Sequence, residues 1–180
     1  FNGNGVYFGR TDCPLNVEGI LQGKALGHAL SDIHFDEIYT SPMKRCIDTV
    51  RFITTERKPE VFDELSELDF GLWEGLNFRE CRERFPEEFE KWSEDFRNTR
   101  PPQGELFTDF YCRVMTFHRE VLSAKEGTIL IAAHKGVLQL LASIFLTGND
   151  SLFWNFNFLL GKYSVLEKIE EHCTITRLNV

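Results

Sequence analysis

The chain has 180 residues, of which 42% are hydrophobic and 27% are charged, so its composition is that of a globular protein and excludes intrinsic disorder. The formal net charge of −8 argues against nucleic acid as a partner, because proteins that bind a duplex carry a basic surface. It does not exclude a small anionic substrate in a local basic pocket. The longest apolar stretch, 137–146, is too short to span a bilayer. We therefore expect one domain over 1–180, with neither a nucleic-acid nor a membrane partner.

The cysteines give an indication of the compartment. There are five, an odd number, and they are widely spaced with no C-x-x-C pair. This pattern is typical of neither a disulfide framework nor a zinc site. No signal peptide is visible, and a reducing cytoplasm is the simplest expectation.

The predicted elements alternate between helix and strand. Helices are expected at 15–30, from Ser41 (as the cap, with Pro42 at the first helical position) to about Thr54, at 107–122 and at 136–146. Strands are expected at 37–40, 61–65 and 128–133, the last of them buried, followed by a terminal hairpin formed by 163–169 and 173–178. The alternation predicts an α/β fold with a mostly parallel central sheet and helices on both faces.

Segment 76–104 interrupts this alternation. It combines many charges with large aromatic side chains, has a helix-breaking Pro86 in its middle and ends at Pro101-Pro102-Gln103-Gly104. The aromatic residues are Phe78, Phe85, Phe89, Trp92 and Phe96. We interpret 76–104 as a lid-like insertion. The alternative is that the aromatic rings simply pack inward.

Two strand-to-helix junctions carry cations where ligands bind in open α/β sheets. They are Ser41–Arg45 and Ala133–Gly136. A cation at a helix N-terminus opposes the macrodipole at a cost of roughly 0.3–1 kcal/mol. Cations at two helix N-termini along one sheet edge indicate that an anion binds between them.

The candidate residues at these junctions each have an ordinary alternative. The planar guanidinium of Arg45 suits phosphate oxygens, but a surface arginine that covers the helix start is equally consistent with its position. His134 follows a predicted strand, where a structural histidine is the commoner case. Lys135 is expected to direct its side chain to solvent and only its backbone N–H to the site.

An acidic cluster lies between the two junctions in the sequence. One of its four carboxyl groups could be a general acid, although a solvated acidic loop is the simpler interpretation. The four are Glu64, Glu67, Asp69 and Glu74. No metal-ligand, dinucleotide-binding or serine-hydrolase motif is present, so we expect no metal and no cofactor.

Taken in order, five groups of residues point to one family. They are Asn2 with Gly9–Leu15, then Ser41–Cys46, Glu67–Gly75, Pro102–Glu105 and Ala133–Val137. Together they resemble the histidine phosphatase superfamily, also called the phosphoglycerate mutase-like family. The resemblance extends over almost the whole chain and implies the three-layer phosphoglycerate mutase-like fold.

The resemblance also implies a mechanism. A histidine attacks phosphorus and forms a phosphohistidine, which water hydrolyses without a metal. Arg45 matches the phosphate-clamping arginine, and His134 matches the histidine that hydrogen-bonds the transferring phosphoryl group. Glu67 matches the acid that protonates the leaving alcohol. Asn2 matches an asparagine that lines the phosphate pocket. Lys135 stands where the family often has glycine, and its backbone N–H can still serve the site.

A narrower likeness concerns the substrate. From Gly136 to Asn179 the chain resembles the α-ribazole phosphatases of cobalamin biosynthesis, which implies a small phosphorylated metabolite, α-ribazole 5′-phosphate, as substrate. The alternatives are a broad-specificity phosphatase, a phosphoglycerate mutase-like phosphotransferase and an inactive phospholigand-binding form. The sequence leaves open whether the protein is a homodimer.

One part of the family pattern is missing from the sequence. The family's nucleophilic histidine lies in an Arg-His-Gly motif that ends a first strand just before the position of Asn2. None of the histidines outside the site motifs can replace it: His28, His34, His118 and His172. We expect the natural protein to supply this strand and motif ahead of Phe1. The alternative is a truncated form that binds phospholigands without turnover.

Overall fold

The computed structural model describes residues 5–170 and 172–180, so the predicted pocket residue Asn2 lies outside the described residues. The helices and strands, in chain order, are α1 Val17–Ala29, β1 Glu37–Thr40, α2 Lys44–Ile53, β2 Glu60–Val61, α3 Phe78–Arg84, α4 Pro86–Glu94, α5 Phe107–Phe117, β3 Ile129–Ala132, α6 Lys135–Thr147, β4 Val165–Ile169 and β5 His172–Arg177. The predicted alternation of helix and strand is confirmed. The helix break at Pro86 is confirmed as well, because α3 ends before it and α4 begins with it.

The sheet that carries the two cationic junctions is parallel. Its strand order is β2-β1-β3, and β1 pairs in parallel with both neighbours. The register places Thr40 opposite Ala132, so β1 and β3 end side by side. The predicted terminal hairpin is also present as the antiparallel pair β4-β5.

Two predicted strands differ from the structure. The strand expected at 61–65 is reduced to Glu60–Val61, and Asp63–Leu65 forms a 3-10 turn instead. The strand expected to be buried, β3, is half-buried along its whole length. Within the described part of the chain β3 lies at the edge of its sheet, where a strand has fewer neighbours to cover it.

The start of α2 corrects the predicted cap. The helix begins at Lys44, and no side chain of its cap residue bonds to it. The carboxylate of Asp12 takes that place: its Oδ1 accepts from the Lys44 N–H at 2.8 Å, and its Oδ2 lies 3.6 Å from Lys44 Nζ. Ser41 lies too far ahead of the helix to cap it. The anion at this helix N-terminus is thus a residue of the chain itself.

The chain divides into two compact units. One consists of the segment ending at Thr11 and of Glu67–Arg113, and the other of Asp12–Ser66 and Val114–Val180. In the first unit Trp73, Cys81 and Phe89 form a buried cluster, against which Phe85 and Trp92 pack with other aromatic residues. Aromatic residues of 76–104 therefore do pack inward, and the role of this segment as a lid stays a prediction.

The second unit has its core around β1 and α6. Tyr39 is 1% exposed and makes edge-on ring contacts with Phe62 and Phe117. One face of α6 is fully buried through Val137 and Leu140. Burial of this kind contributes roughly 1.5–3 kcal/mol for each large apolar side chain, and it holds the start of α6 in place.

The state of the cysteines and the length of the helices bear on two expectations from the sequence, the cellular compartment and the absence of a membrane span. All five cysteines are free thiols, and the cytoplasmic location expected from their pattern stays a prediction. Among the described residues, no helix combines the length and the apolar character needed to cross a bilayer.

His118 provides a test of this fold by pH. Burial, with a smaller contribution from Lys168, lowers the pKa of its imidazole below the ordinary 6.5. Between the two pKa values the unfolded state therefore binds more protons than the folded state, so the free energy of unfolding should fall as the pH drops below 6.5. We expect His118→Gln to flatten this slope, measured by urea unfolding from pH 8 to pH 5.

The matched control for this prediction is His34→Gln, at an exposed loop position. If both variants change the slope equally, the burial of His118 is not its cause.

Candidate active site

The register of β1 and β3 brings the two cationic junctions together. Directly after the paired residues Thr40 and Ala132, the Ser41 N–H donates to the Ala132 carbonyl oxygen at 3.1 Å. The loops that lead into α2 and α6 therefore start next to each other. Arg45 lies in the first turn of α2, and His134 is the residue before α6.

The side chains of these two residues meet. Arg45 Nη2 lies 3.2 Å from His134 Nδ1. His134 is 8% exposed, whereas Arg45 is half-buried and so remains accessible to a small ligand. The structure thus brings together the guanidinium and the imidazole that the sequence placed on separate corners. Their catalytic roles stay predictions.

Two further residues contact His134 that sequence reasoning missed. Ser41 Oγ lies 2.8 Å from His134 Nε2, and Cys46 Sγ lies 3.7 Å from Nε2 and 3.9 Å from Nδ1. Both residues are buried. The position of Ser41 directly after a strand was the available signal, but the following proline favoured a cap. Nothing local distinguished Cys46.

The N-terminus of α6 favours an anion. Its first turn contains no acidic residue, and the side chain of His134 does not cap it. The Lys135 side chain is exposed, and its Nζ donates to Asn157 Oδ1 at 2.7 Å. Backbone N–H groups at a helix start and the helix macrodipole attract negative charge, as the sequence analysis anticipated for this corner.

Glu67 is the buried member of the acidic cluster. It belongs to the first unit and is 9% exposed. Arg113 Nη2 donates to its carbonyl oxygen at 3.0 Å, and Arg113 also forms a two-pronged ion pair with Glu105 at 2.7 and 2.9 Å. Glu105 Oε2 accepts in turn from the N–H of Asp69 at 3.3 Å. Residues 67–69 are therefore held by a charged clamp and do not form a solvated loop.

The carboxylate of Glu74 organises a neighbouring loop of the same unit. It accepts hydrogen bonds from the backbone N–H groups of Gly9, Arg10 and Thr11 at 2.9–3.2 Å, and from Thr11 Oγ1 at 2.6 Å. A Cβ at Gly9 would lie 1.9 Å from the Leu68 carbonyl oxygen, so only glycine allows this approach. The Glu74 carboxylate thus holds this loop in place. This structural role differs from the role of general acid, which was one of the alternatives for the acidic cluster.

Two other titratable groups of the first unit are unsuited to catalysis at neutral pH. Burial, together with the negative charge of Glu80, raises the pKa of the Cys81 thiol to about 11. Burial also raises the pKa of Tyr7 to about 12. The Cys81 thiol therefore remains protonated and is not a nucleophile.

The described residues contain no group of three or more histidine, cysteine or acidic side chains placed to share a metal ion. The groups assembled at the β1 and β3 corners are instead two nitrogenous side chains and a helix N-terminus. Fixed donors of this kind can stabilise the charge on the equatorial oxygens of a phosphoryl group.

Comparison with known proteins decides the family. The histidine phosphatase superfamily (branch 1) matches the chain over residues 1–180. The chain belongs to this superfamily. It is 32% identical over 183 residues to phosphoserine phosphatase 1 of Hydrogenobacter thermophilus, covering 100% of this chain and 87% of that protein. It is 29% identical over 181 residues to the adenosylcobalamin/α-ribazole phosphatase of Escherichia coli, covering 99% and 89%.

Solved structures confirm the fold. The α-ribazole phosphatase from Shigella flexneri superimposes with a TM-score of 0.90 at 30% identity, covering 99% of this chain and 90% of that chain. A mycobacterial glucosyl-3-phosphoglycerate phosphatase superimposes with a TM-score of 0.83 at 20% identity, covering 99% and 92%, which shows the fold alone. The phosphoglycerate mutase-like α/β fold expected from the sequence is therefore present, and the chain is a member of a phosphatase family.

The hydrogen bonds of Glu74 generate a prediction about stability. Glu74→Ala removes an anion that several N–H groups share, and it leaves those donors without a partner. Bonds to charged groups contribute about 1.5–3 kcal/mol each and are not additive, so we expect the free energy of unfolding to fall by about 2–4 kcal/mol. Urea unfolding measures the loss.

Glu90→Ala, at an exposed position of α4, is the control and should change the free energy of unfolding by less than about 0.5 kcal/mol. Equal effects of the two substitutions would show that the Gly9–Thr11 loop does not depend on Glu74.

Proposed function

We propose that this protein is a metal-independent phosphomonoesterase that acts through a phosphohistidine intermediate on α-ribazole 5′-phosphate. The observation that carries the proposal is the 3.2 Å contact between Arg45 Nη2 and His134 Nδ1 at the start of α6. The guanidinium supplies fixed N–H donors, and the imidazole beside it becomes a second donor when it is protonated, so an anion bound at this corner can accept hydrogen bonds from both groups.

In the proposed reaction Arg45 clamps two phosphoryl oxygens through its planar fork. His134 donates a hydrogen bond to a third oxygen when it carries a proton on Nδ1, the nitrogen next to Arg45. The backbone N–H of Lys135 and the macrodipole of α6 add positive potential to the same corner. These donors would stabilise the transition state, in which negative charge is spread over the three equatorial oxygens of the phosphoryl group.

Glu67 is proposed as the general acid that protonates the leaving alcohol and as the base that activates water afterwards. Its burial and its main-chain hydrogen bond from Arg113 support this choice over Glu64 and Asp69. Both Glu67 Oε1 and Asp69 Oδ1 accept a backbone N–H, from Leu68 at 3.0 Å and from Gly71 at 2.8 Å, so burial is what distinguishes Glu67 from the half-buried Asp69. A carboxyl group in a fixed position is what proton transfer requires.

The nucleophile of this mechanism is a histidine in an Arg-His-Gly motif, and the 180-residue sequence contains no such motif. The residues described above supply the clamp and the acid, and Asn2 is proposed to line the same phosphate pocket. The alternative of a non-catalytic phospholigand-binding form therefore has a specific basis. A test of turnover distinguishes this form from an enzyme.

Two substrates are candidates. The likeness to the α-ribazole phosphatases of Escherichia coli and Shigella flexneri supports α-ribazole 5′-phosphate. The 32% identity to a phosphoserine phosphatase favours phosphoserine as a second candidate. We further propose a single domain over 1–180, with 76–104 as a lid-like insertion. Because all five cysteines are free, we also propose a cytoplasmic location.

The first test of this function is a substrate panel in EDTA. We expect the natural protein to release phosphate from α-ribazole 5′-phosphate with a higher kcat/KM than from phosphoserine, 3-phosphoglycerate or p-nitrophenyl phosphate, because the fixed donors need no metal. Release of inorganic phosphate is the measurement. Preference for phosphoserine would replace the proposed substrate, and loss of all turnover in EDTA would contradict the metal-independent mechanism.

The second test concerns Arg45. Arg45→Ala should lower kcat/KM by about 10²–10³-fold, as expected when a preorganised donor to a developing anion is lost. Arg45→Lys should recover only part of this loss, because an ammonium lacks the fork. Arg51→Ala provides the control on the same helix, since Arg51 is exposed and pairs with Asp48. Activity unchanged in Arg45→Ala would remove this residue from the site.

A further inference from the structure

We propose that Ser41 is a positioning residue that, together with Arg45, fixes the tautomer of His134. By accepting a hydrogen bond from Nε2–H, its hydroxyl leaves Nδ1 as the ring atom that faces Arg45 and exchanges a proton. The role of this tautomer in catalysis rests on the proposed function, whereas the presence of the tautomer does not.

The donors and acceptors around the ring decide the protonation. A guanidinium has N–H donors and no acceptor, so at 3.2 Å from Arg45 Nη2 the His134 Nδ1 atom must be the acceptor. In a neutral imidazole the proton then lies on Nε2. Ser41 Oγ, 2.8 Å from Nε2, is placed to accept it.

Ser41 is held so that its oxygen acts as an acceptor. The side chain is fully buried, and its main-chain N–H donates to the Ala132 carbonyl oxygen at 3.1 Å. The Met43 N–H donates to Ser41 Oγ at 3.3 Å. Two donors therefore converge on this one oxygen, which orients its lone pairs toward them.

The ring itself has little freedom to turn. His134 is buried at 8% exposure, and Cys46 Sγ lies 3.7 and 3.9 Å from its two nitrogens. Rotation of the ring would give up both the Ser41 and the Arg45 contact. The geometry therefore specifies which nitrogen lies on each side.

This arrangement has a consequence for an incoming phosphate. A phosphate oxygen that accepts a hydrogen bond would meet the lone pair of Nδ1, so His134 must gain its second proton at Nδ1 to bind the anion. The Nε2–H bond to Ser41 is unchanged in either state. Ser41 thus confines proton exchange to the atom that faces the ligand, and it does so without contacting the ligand itself.

The test is the protonation state of the two ring nitrogens, measured by ¹⁵N NMR on the histidine-labelled 180-residue chain above pH 8, without ligand. His134→Gln assigns the signals. We expect an unprotonated Nδ1 and a protonated Nε2 in the wild type, and a mixture of tautomers in Ser41→Ala. Ser143→Ala is the matched control, because Ser143 is also fully buried but bonds to Asn149 and Leu152 instead.

A protonated Nδ1 in the wild type, or a Ser41→Ala spectrum identical to the wild type, would overturn the proposal. If Ser41→Ala fails to fold by circular dichroism, the wild-type spectrum and Ser41→Thr, which keeps the hydroxyl, decide instead. The ¹⁵N spectrum does not depend on turnover. Absence of phosphatase activity would therefore contradict the proposed function without affecting the proposal about the His134 tautomer.

A second readout addresses function. Inorganic phosphate should bind Ser41→Ala roughly tenfold more weakly than the wild type, which is the lower end of the loss found when the hydrogen-bond partner of a metal-ligating histidine is removed. Ser143→Ala should bind phosphate as the wild type does. Equal affinities for phosphate in Ser41→Ala and the wild type would show that the tautomer has no part in anion binding.

Discussion

The parallel register of β1 and β3 is the constraint on which the site depends. Because Thr40 pairs with Ala132, the next residues of both strands emerge side by side, and the helices that follow start at one place. The contact between Arg45 and His134 is a direct result, although 89 positions separate the two residues in sequence. A shift of the register by one residue would move Arg45 and His134 apart and would also turn the strand side chains to the opposite face.

The distribution of negative charge explains why this corner is the candidate for an external anion. Asp12 occupies the N-terminus of α2, and Glu74 occupies the N–H groups of the Gly9–Thr11 loop. Both carboxylates accept hydrogen bonds from backbone N–H groups that could otherwise bind an external anion. At α6 the first turn contains no acidic residue, so its dipole and its neighbouring cations favour negative charge from a ligand. An overall charge of −8 is compatible with this, because electrostatic attraction acts locally.

The hydrogen bonds around the proposed catalytic groups share one feature. Glu67 is held through its main chain by Arg113, which Glu105 fixes, and His134 is held through its ring by Ser41. In both cases a hydrogen bond to a neighbouring side chain, the half-buried Arg113 or the buried Ser41, sets the position of a group that would move protons. Such support matters because an error of about 1 Å in a reacting group can cost roughly a hundredfold in rate.

The sequence by itself determined the alternation of helix and strand, the break at Pro86, the terminal hairpin and the family motifs. These features depend on neighbouring residues, through apolar periodicity, proline geometry and local spacing. Only the tertiary structure decided that Ser41 serves His134 and does not cap α2, that Asp12 caps α2 in its place, and that Glu74 binds the Gly9–Thr11 loop. The partners in these contacts lie 93, 32 and 63–65 positions apart. A hydrogen bond over such a separation depends on how strands pair and helices pack, and no local pattern of residues records it.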